Sequence, residues 1–365
     1  MRSRELGIRF GDAAPGPLDA ITDVAGVRVG SVTLIEDEAV RTGVTVIVPS
    51  EADVGVEPLF AGCHTLNGNG ELTGLEWVRE SGRLTTPIAI TNTHSVGVVR
   101  DALVAASVRA QGGDPFSWAL PVVGETWDGM LNDINGHHVR PEHVDEAIAK
   151  ASGGPVEEGA CGGGTGMICH GFKGGIGTAS RVIGEEHGGY TVGVLVQANH
   201  GWRERLSVAG VPVGRLIGTD VVPGPSASMP DSAAGAGSII VIVATDAPLL
   251  PHQCRRIAQR ASLGIARTGG AGEHSSGDIL LAFSTAQQSL PPSEIEDDAE
   301  PVTVPITMFV DSHSVHLYHA TIEATEAAIV HALLAAETTT GRKGVTAHGL
   351  EPDVLLEAMK RFRAV

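Results

Sequence analysis

Along this chain the apolar residues fall mostly in short bursts. Val24–Leu34, Gly43–Val48, Pro87–Thr91 and Thr191–Gln197 are β-branched or alternating runs bounded by turn residues, a pattern that predicts strands. Helical spacing occupies Val96–Ala110, Glu142–Lys150, Leu249–Ala266 and Thr321–Glu337. The two patterns intermix without a regular strand–helix alternation, which favours a layered α+β body over a doubly wound parallel sheet.

One run differs from the others. Gly237-Ser-Ile-Ile-Val-Ile-Val-Ala-Thr-Asp246 places a lone hydroxyl, Ser238, at the head of an unbroken apolar stretch, as a strand buried on both faces would read. Before it lies a soft segment, Val222–Gly237, made almost entirely of small residues, proline and glycine. A serine where a loop enters a strand is ordinary turn chemistry. It is also where a hydrolase that cuts its own backbone would expose a serine as a new amino terminus, whose α-amine then serves as base.

A helical pattern from Pro248 to Ala266 and a glycine-rich turn lead to a second polar strand start, His274-Ser-Ser-Gly-Asp278-Ile-Leu-Leu-Ala-Phe283. Strand, helix, strand brings two polar strand heads within reach of each other. Period-two alternation puts Ser276 and Asp278 on one face, from which they would orient Ser238 if the strands are neighbours.

Composition narrows the function. A formal charge of −18 argues against a nucleic-acid partner, which needs clustered Lys and Arg, and suits small cationic ligands. Met1-Arg2-Ser3-Arg4 resembles the start of a signal peptide, but Glu5 and Asp12 interrupt the apolar region that should follow. No segment reaches the roughly 18 apolar residues of a membrane span, so a cytoplasmic protein with no membrane partner is expected. Cys63, Cys161, Cys169 and Cys254 form no C-x-x-C pair and are expected as reduced thiols.

The 365 residues could hold two or three average domains or, with 42% of them hydrophobic, one large α/β body. Gly162-Gly-Gly-Thr-Gly166 lacks the Lys-Ser/Thr of a phosphate loop and reads as a place where backbone passes close to backbone. His137, His138 and His143, and His313, His316 and His319, match no zinc motif. Met308–Tyr318 reads as well as a strand entering a loop as it does as a helix face. No metal and no organic cofactor are expected.

An ordered set of motifs then sharpens the picture. Leu18–Gly30, Arg41-Thr-Gly-Val-Thr45, Leu66-Asn-Gly-Asn-Gly-Glu71, Thr91-Asn-Thr-His-Ser-Val-Gly97 and Leu131-Asn-Asp-Ile-Asn-Gly136 are followed by Gly162–Met167, Val194–Asn199, Gly237-Ser-Ile-Ile240 and Ser276-Gly-Asp278. Together they resemble the self-processing aminopeptidases, which include the L-aminopeptidase/D-alanine esterase-amidases and the β-peptidyl aminopeptidases. The resemblance implies a single four-layer αββα sandwich, Ntn-hydrolase-like, cut between Gly237 and Ser238 into fragments 1–237 and 238–365. The fragments would stay together, in a homo-oligomer of cleaved protomers.

Carried over by position, the resemblance makes Ser238 the nucleophile and Ser276 with Asp278 its supporting pair. Asn199 becomes the oxyanion donor and Glu125 the acid that holds the free ammonium of the substrate. Some relatives have glutamate at the position of Asp278. Trp127 stands where close relatives have a tyrosine hydroxyl, and offers an indole donor without an acceptor. Gly237 has no Cβ to resist the backbone geometry of an N-to-O acyl shift. The implied reaction releases N-terminal residues from small peptides, amides or esters through an acyl-enzyme. Two alternatives are an acyltransferase of the ornithine acetyltransferase type, whose nucleophile is threonine, and an uncut structural or binding protein.

Overall fold

In this computed structural model, residues 2–114, 116–225, 237–287, 290–292 and 301–363 are described. Most of the soft segment before Ser238, residues 226–236, lies outside them. In chain order the elements are Arg28–Glu36 (β1), Val40–Val48 (β2), Leu59–Gly68 (β3), Leu75–Ser81 (α1), Arg83–Leu84 (β4) and Ile88–Asn92 (β5). Val96–Ala110 (α2), Val122–Thr126 (β6), Pro141–Lys150 (α3), Ile168–Cys169 (β7), Phe172–Lys173 (β8), Gly175–Val182 (β9) and Thr191–Asn199 (β10) follow. Val213–Leu216 (α4), Ser238–Thr245 (β11), Pro251–Arg267 (α5), Gly277–Ser284 (β12), Ser314–Ala335 (α6) and Pro352–Arg363 (α7) come next, with the paired two-residue strands Thr339–Thr340 and Thr346–Ala347 between the last two helices.

Two sheets stack face to face. One is ordered β1-β2-β5-β6 and the other β4-β3-β12-β11-β10-β9. Alternation along β11 shows how the layers form. Ile239, Val241 and Val243 join the cluster that includes α5 and α6, whereas Ile240, Ile242 and Ala244 join the cluster between the sheets. A third cluster packs β2, β5 and β6 against α2 and α3. Helix, sheet, sheet and helix give the expected αββα order, each interface closed by apolar side chains.

The element boundaries moved for identifiable reasons. The helix expected from Leu249 starts at Pro251, whose missing N–H and fixed φ suit the first helical position. The helix expected from Thr321 starts at Ser314, so Met308–Tyr318 forms no strand: Val310 is extended, Asp311–His313 make a single turn, and from Ser314 the chain is helical. Its first turns carry exposed residues such as Val315 and His319, so their sequence shows no apolar stripe. β9 escaped the sequence pattern because its Gly-Ile-Gly-Thr-Ala-Ser run is built for close approach. A Cβ on Gly177 would lie 2.0 Å from Ala328 O of α6, so helix and sheet touch backbone to backbone there.

The glycine cluster at 162–166 has the structural part expected of it. A side chain on Gly163 would meet Gln197 Oε1 of β10 at 2.2 Å and Ile90 O of β5 at 2.6 Å, so the chain threads between the two sheets. The four cysteines are free and buried. Among the described residues no helix is long and apolar enough to cross a membrane.

Candidate active site

β11 and β12 are joined through α5 and pair in parallel, with Ile239 opposite Asp278. That register sets the two polar strand heads side by side, as the sequence suggested. On the other flank β10 runs antiparallel and puts Asn199 directly opposite Ser238. Ser238 has the parity of Ile240 and Ile242, so its side chain is directed between the sheets. There its Oγ accepts a hydrogen bond from Gly277 N–H at 3.0 Å.

Ser276 and Asp278 do come together: Ser276 Oγ donates to Asp278 Oδ1 at 2.5 Å. Asp278, however, shares the parity of Leu280 and Ala282, which pack toward the helices. The pair therefore lies on the opposite face from the Ser238 side chain. Its carboxyl addresses the backbone instead, accepting from Ile239 N–H. Burial pushes the Asp278 carboxyl up to about 6, against the opposing pull of these hydrogen bonds.

Asn199 is held at both ends of its amide. Oδ1 accepts from Ile168 N–H at 2.8 Å, and Nδ2 donates to Trp127 O at 3.0 Å. A primary amide has two protons, so one Nδ2 proton remains for a further acceptor. Trp127 thus meets Asn199 through its backbone carbonyl, while its indole is partly exposed at the mouth of the site. Gly237 is required for space. A Cβ there would lie 1.8 Å from Asn199 O, whereas its φ is not in the left-handed region.

The opposite wall comes from the other sheet. Parallel pairing of β5 with β6 sets Glu125 beside Thr91, and the residue is only 3% exposed. Glu71 N–H donates to Oε1 at 3.0 Å and the Thr93 hydroxyl donates to Oε2. Burial still dominates and raises the Glu125 carboxyl above its ordinary value. A positive group brought against it would restore the charged form.

Ser238, Gly237, Glu125 and Trp127 all line one open cavity of about 390 Å³, with Thr93 and Ser275 on its wall. Asn199, directly opposite Ser238, and Ser276 and Asp278, at the head of β12, are not part of that lining. Four residues were not singled out by the sequence reading. Thr93 carries the hydroxyl on Glu125, and Gly277 supplies the N–H on Ser238. Asn67 and Asn69 bind the carbonyls of Glu273, Ser276 and Ser275, and so fix the loop that delivers β12. Each lies inside a motif that carries the family likeness, but none had a role assigned, because the partners of Asn67 and Asn69 are some 200 positions away and those of Thr93 and Gly277 more than 30.

Comparison with known proteins agrees with this geometry. The profile described as Peptidase family S58 matches residues 19–347. A β-peptidyl aminopeptidase BapA from Sphingosinicella microcystinivorans is 47% identical over 99% of this chain and 92% of its own length. Among solved structures, a Burkholderia sp. β-aminopeptidase superposes with a TM-score of 0.93 at 54% identity, covering 99% of each chain. The L-aminopeptidase D-Ala-esterase/amidase of Ochrobactrum anthropi, described as a variant of the Ntn-hydrolase fold, gives a TM-score of 0.88 at 42% identity, again over 99% of each chain.

Proposed function

The chain belongs to peptidase family S58 and is a serine aminopeptidase on a variant of the Ntn-hydrolase fold; from that premise we propose how its own residues do the work. Ser238 is both the site of self-cleavage and the nucleophile of the matured enzyme. The observation that carries this is the position of Ser238 Oγ. It is at the head of a buried strand, inside one cavity with a buried carboxyl from the facing sheet.

In maturation Ser238 Oγ attacks the Gly237 carbonyl carbon, the Gly237–Ser238 C–N bond gives way to an ester, and water hydrolyses that ester. Fragments 1–237 and 238–365 result. The new α-amine, with an ordinary pKa of about 7.7–8.0, is partly neutral at physiological pH and takes the Oγ proton in each later turnover. Ser276 and Asp278 orient that amine from the helix side of β11, the side on which Asp278 already meets Ile239 N–H. The free Nδ2 proton of Asn199 stabilises the oxyanion of the tetrahedral intermediate. The leaving amine departs with the proton, and water releases the acyl group.

Glu125 binds the ammonium of the substrate. A buried carboxyl that already has two donors yet remains raised gains most from a cationic partner, and this restricts cleavage to N-terminal residues. Substrates are small peptides, amides or esters with a free amino group. The names of the 47% and 54% identical relatives support a preference for β-amino residues. The reading includes a homo-oligomer of cleaved protomers, as the resemblance implied. It also includes a cytoplasmic location, for which four free, buried cysteines are the support. Acyl transfer and an uncut structural role are not favoured by the family.

Denaturing electrophoresis with intact-mass analysis tests the core of this. Purified protein should give fragments of 237 and 128 residues, and Ser238→Ala one full-length, folded and inactive chain. A single full-length band from the unaltered sequence would overturn self-processing. A panel of L-, D- and β-aminoacyl amides then fixes the substrate class. Faster turnover of α-amino than of β-amino substrates would reverse the stated preference.

A further inference from the structure

Directly behind the oxyanion arm lies a second cluster of reactive side chains. Cys169, at the end of β7, His170 and His200 are all buried, and one ligand atom from each lies within 4.8 Å of the others. His170 Nδ1 lies 3.0 Å from Trp202 O, an acceptor only, so the proton is on Nδ1 and the Nε2 lone pair is left without a partner in a fully enclosed position. A carbonyl behind a histidine is the arrangement that orients metal-ligating imidazoles. Cys169 Sγ lies 3.8 Å from His200 Nδ1. With metal–sulfur and metal–nitrogen bonds of about 2.3 and 2.05 Å, two ligands of one tetrahedral ion are roughly 3.6 Å apart.

We propose that Cys169, His170 and His200 form a site for monovalent copper, separate from the peptidase chemistry. Thiolate and imidazole suit soft d¹⁰ ions, which leaves Cu(I) and Zn(II) as the candidates. Charge decides between them. One thiolate balances Cu(I) to a neutral centre, whereas Zn(II) would leave an unpaired positive charge in a dry interior, where it is costly. The Arg203 guanidinium, which donates to His170 O at 3.0 Å, adds to that cost for a divalent ion.

Burial holds the Cys169 thiol at about 12 and lowers both histidines, so the cluster is neutral without a metal. On binding, the S–H bond breaks, its proton leaves to solvent and the sulfur lone pair forms the metal bond. Copper enters and stays as Cu(I). Cys169 follows Ile168, whose N–H holds Asn199 Oδ1, and His200 follows Asn199. The ion would therefore tie together the two segments that fix the oxyanion donor.

The test uses full-length protein, both isolated from copper-supplied cells and titrated with Cu(I) against a competing chromophoric chelator. One tightly held equivalent is expected, with a copper–sulfur distance by X-ray absorption. Cys169→Ala should lower that affinity by at least about 100-fold, while Cys254→Ala, which removes a different buried thiol, should leave it unchanged. Tight binding that persists in Cys169→Ala, or no difference between the folded variants, would overturn the site. Stoichiometric Zn(II) that Cu(I) fails to displace would overturn the copper assignment. Ser238→Ala protein should bind the same equivalent, which separates this result from failure of the peptidase reading.

Discussion

The two walls of the cavity come from different sheets and are built differently. The wall carrying Ser238 is a strand head clamped between β10 and β12, and its polar groups meet backbone: Gly277 N–H on Oγ, Ile239 N–H on Asp278, Trp127 O on Asn199. The wall carrying Glu125 is an edge strand whose carboxyl is held by one backbone N–H and one hydroxyl. One wall has its proposed reacting atom, Ser238 Oγ, set by the sheet itself. The other presents a charge with room left for a partner. With Ser238 as the proposed nucleophile and Glu125 as the proposed ammonium acceptor, this asymmetry would separate reaction from recognition, so damage to the first wall should stop both self-cleavage and turnover. Damage to the second should spare self-cleavage, because a chain cutting itself brings no free ammonium.

Asn199→Ala is the strongest test of the reaction wall. It should slow both maturation and turnover, with kcat down by roughly 10²–10³-fold. Normal maturation alongside impaired turnover would place the oxyanion donor of the first step elsewhere. Glu125→Gln should mature at the normal rate yet lose at least about 30-fold in kcat/KM, roughly 2 kcal/mol or more, for substrates with a free amine. N-acylated analogues should show no such change, and equal loss in both steps would make Glu125 structural.

The pH profile probes the pair behind β11. Activity should fall below about pH 8 as the Ser238 amine takes up a proton, and with the Asp278 carboxyl raised to about 6 the acid limb should steepen below about pH 6, where Asp278 is protonated too. Asp278→Asn should flatten the limb and lower its plateau. An unchanged limb would assign the titration to another group. The smallest effect is expected from Thr93→Val, which removes one hydroxyl from Glu125. About 1 kcal/mol, or roughly fivefold, should appear in KM for free-amine substrates and none in maturation.

Local sequence made the reaction wall readable and left the recognition wall nearly silent. β11 announced itself because both of its faces are buried, so its residues run apolar without a break and the hydroxyl at its head stands out. β12 repeated the signal, and the adjacency of Ser276 and Asp278 followed from chain order. The opposite-face placement of that pair from Ser238 did not, because it depends on the register between strands. β6 is five residues, Val-Val-Gly-Glu-Thr, too short for periodicity to speak, and Glu125 was found only through family likeness. Thr93 had no local signal, since its meaning lies in the parallel pairing of β5 with β6. Cys169, His170 and His200 were unreadable for a similar reason: a backbone hydrogen bond from His170 N–H to His200 O joins positions thirty residues apart.

The order of the six-stranded sheet has one further consequence. Cleavage between Gly237 and Ser238 would assign β11 and β12 to the C-terminal fragment, yet β3 on one side and β10 on the other to the N-terminal one. Once the Gly237–Ser238 bond is cut, the smaller piece is a slice from the middle of the larger, not a neighbour lying against it. Leaving requires two ladders to open together, so the native state is guarded by a barrier to opening. Refolding becomes a meeting of two chains, slower at every dilution, and the matured enzyme persists by never coming apart.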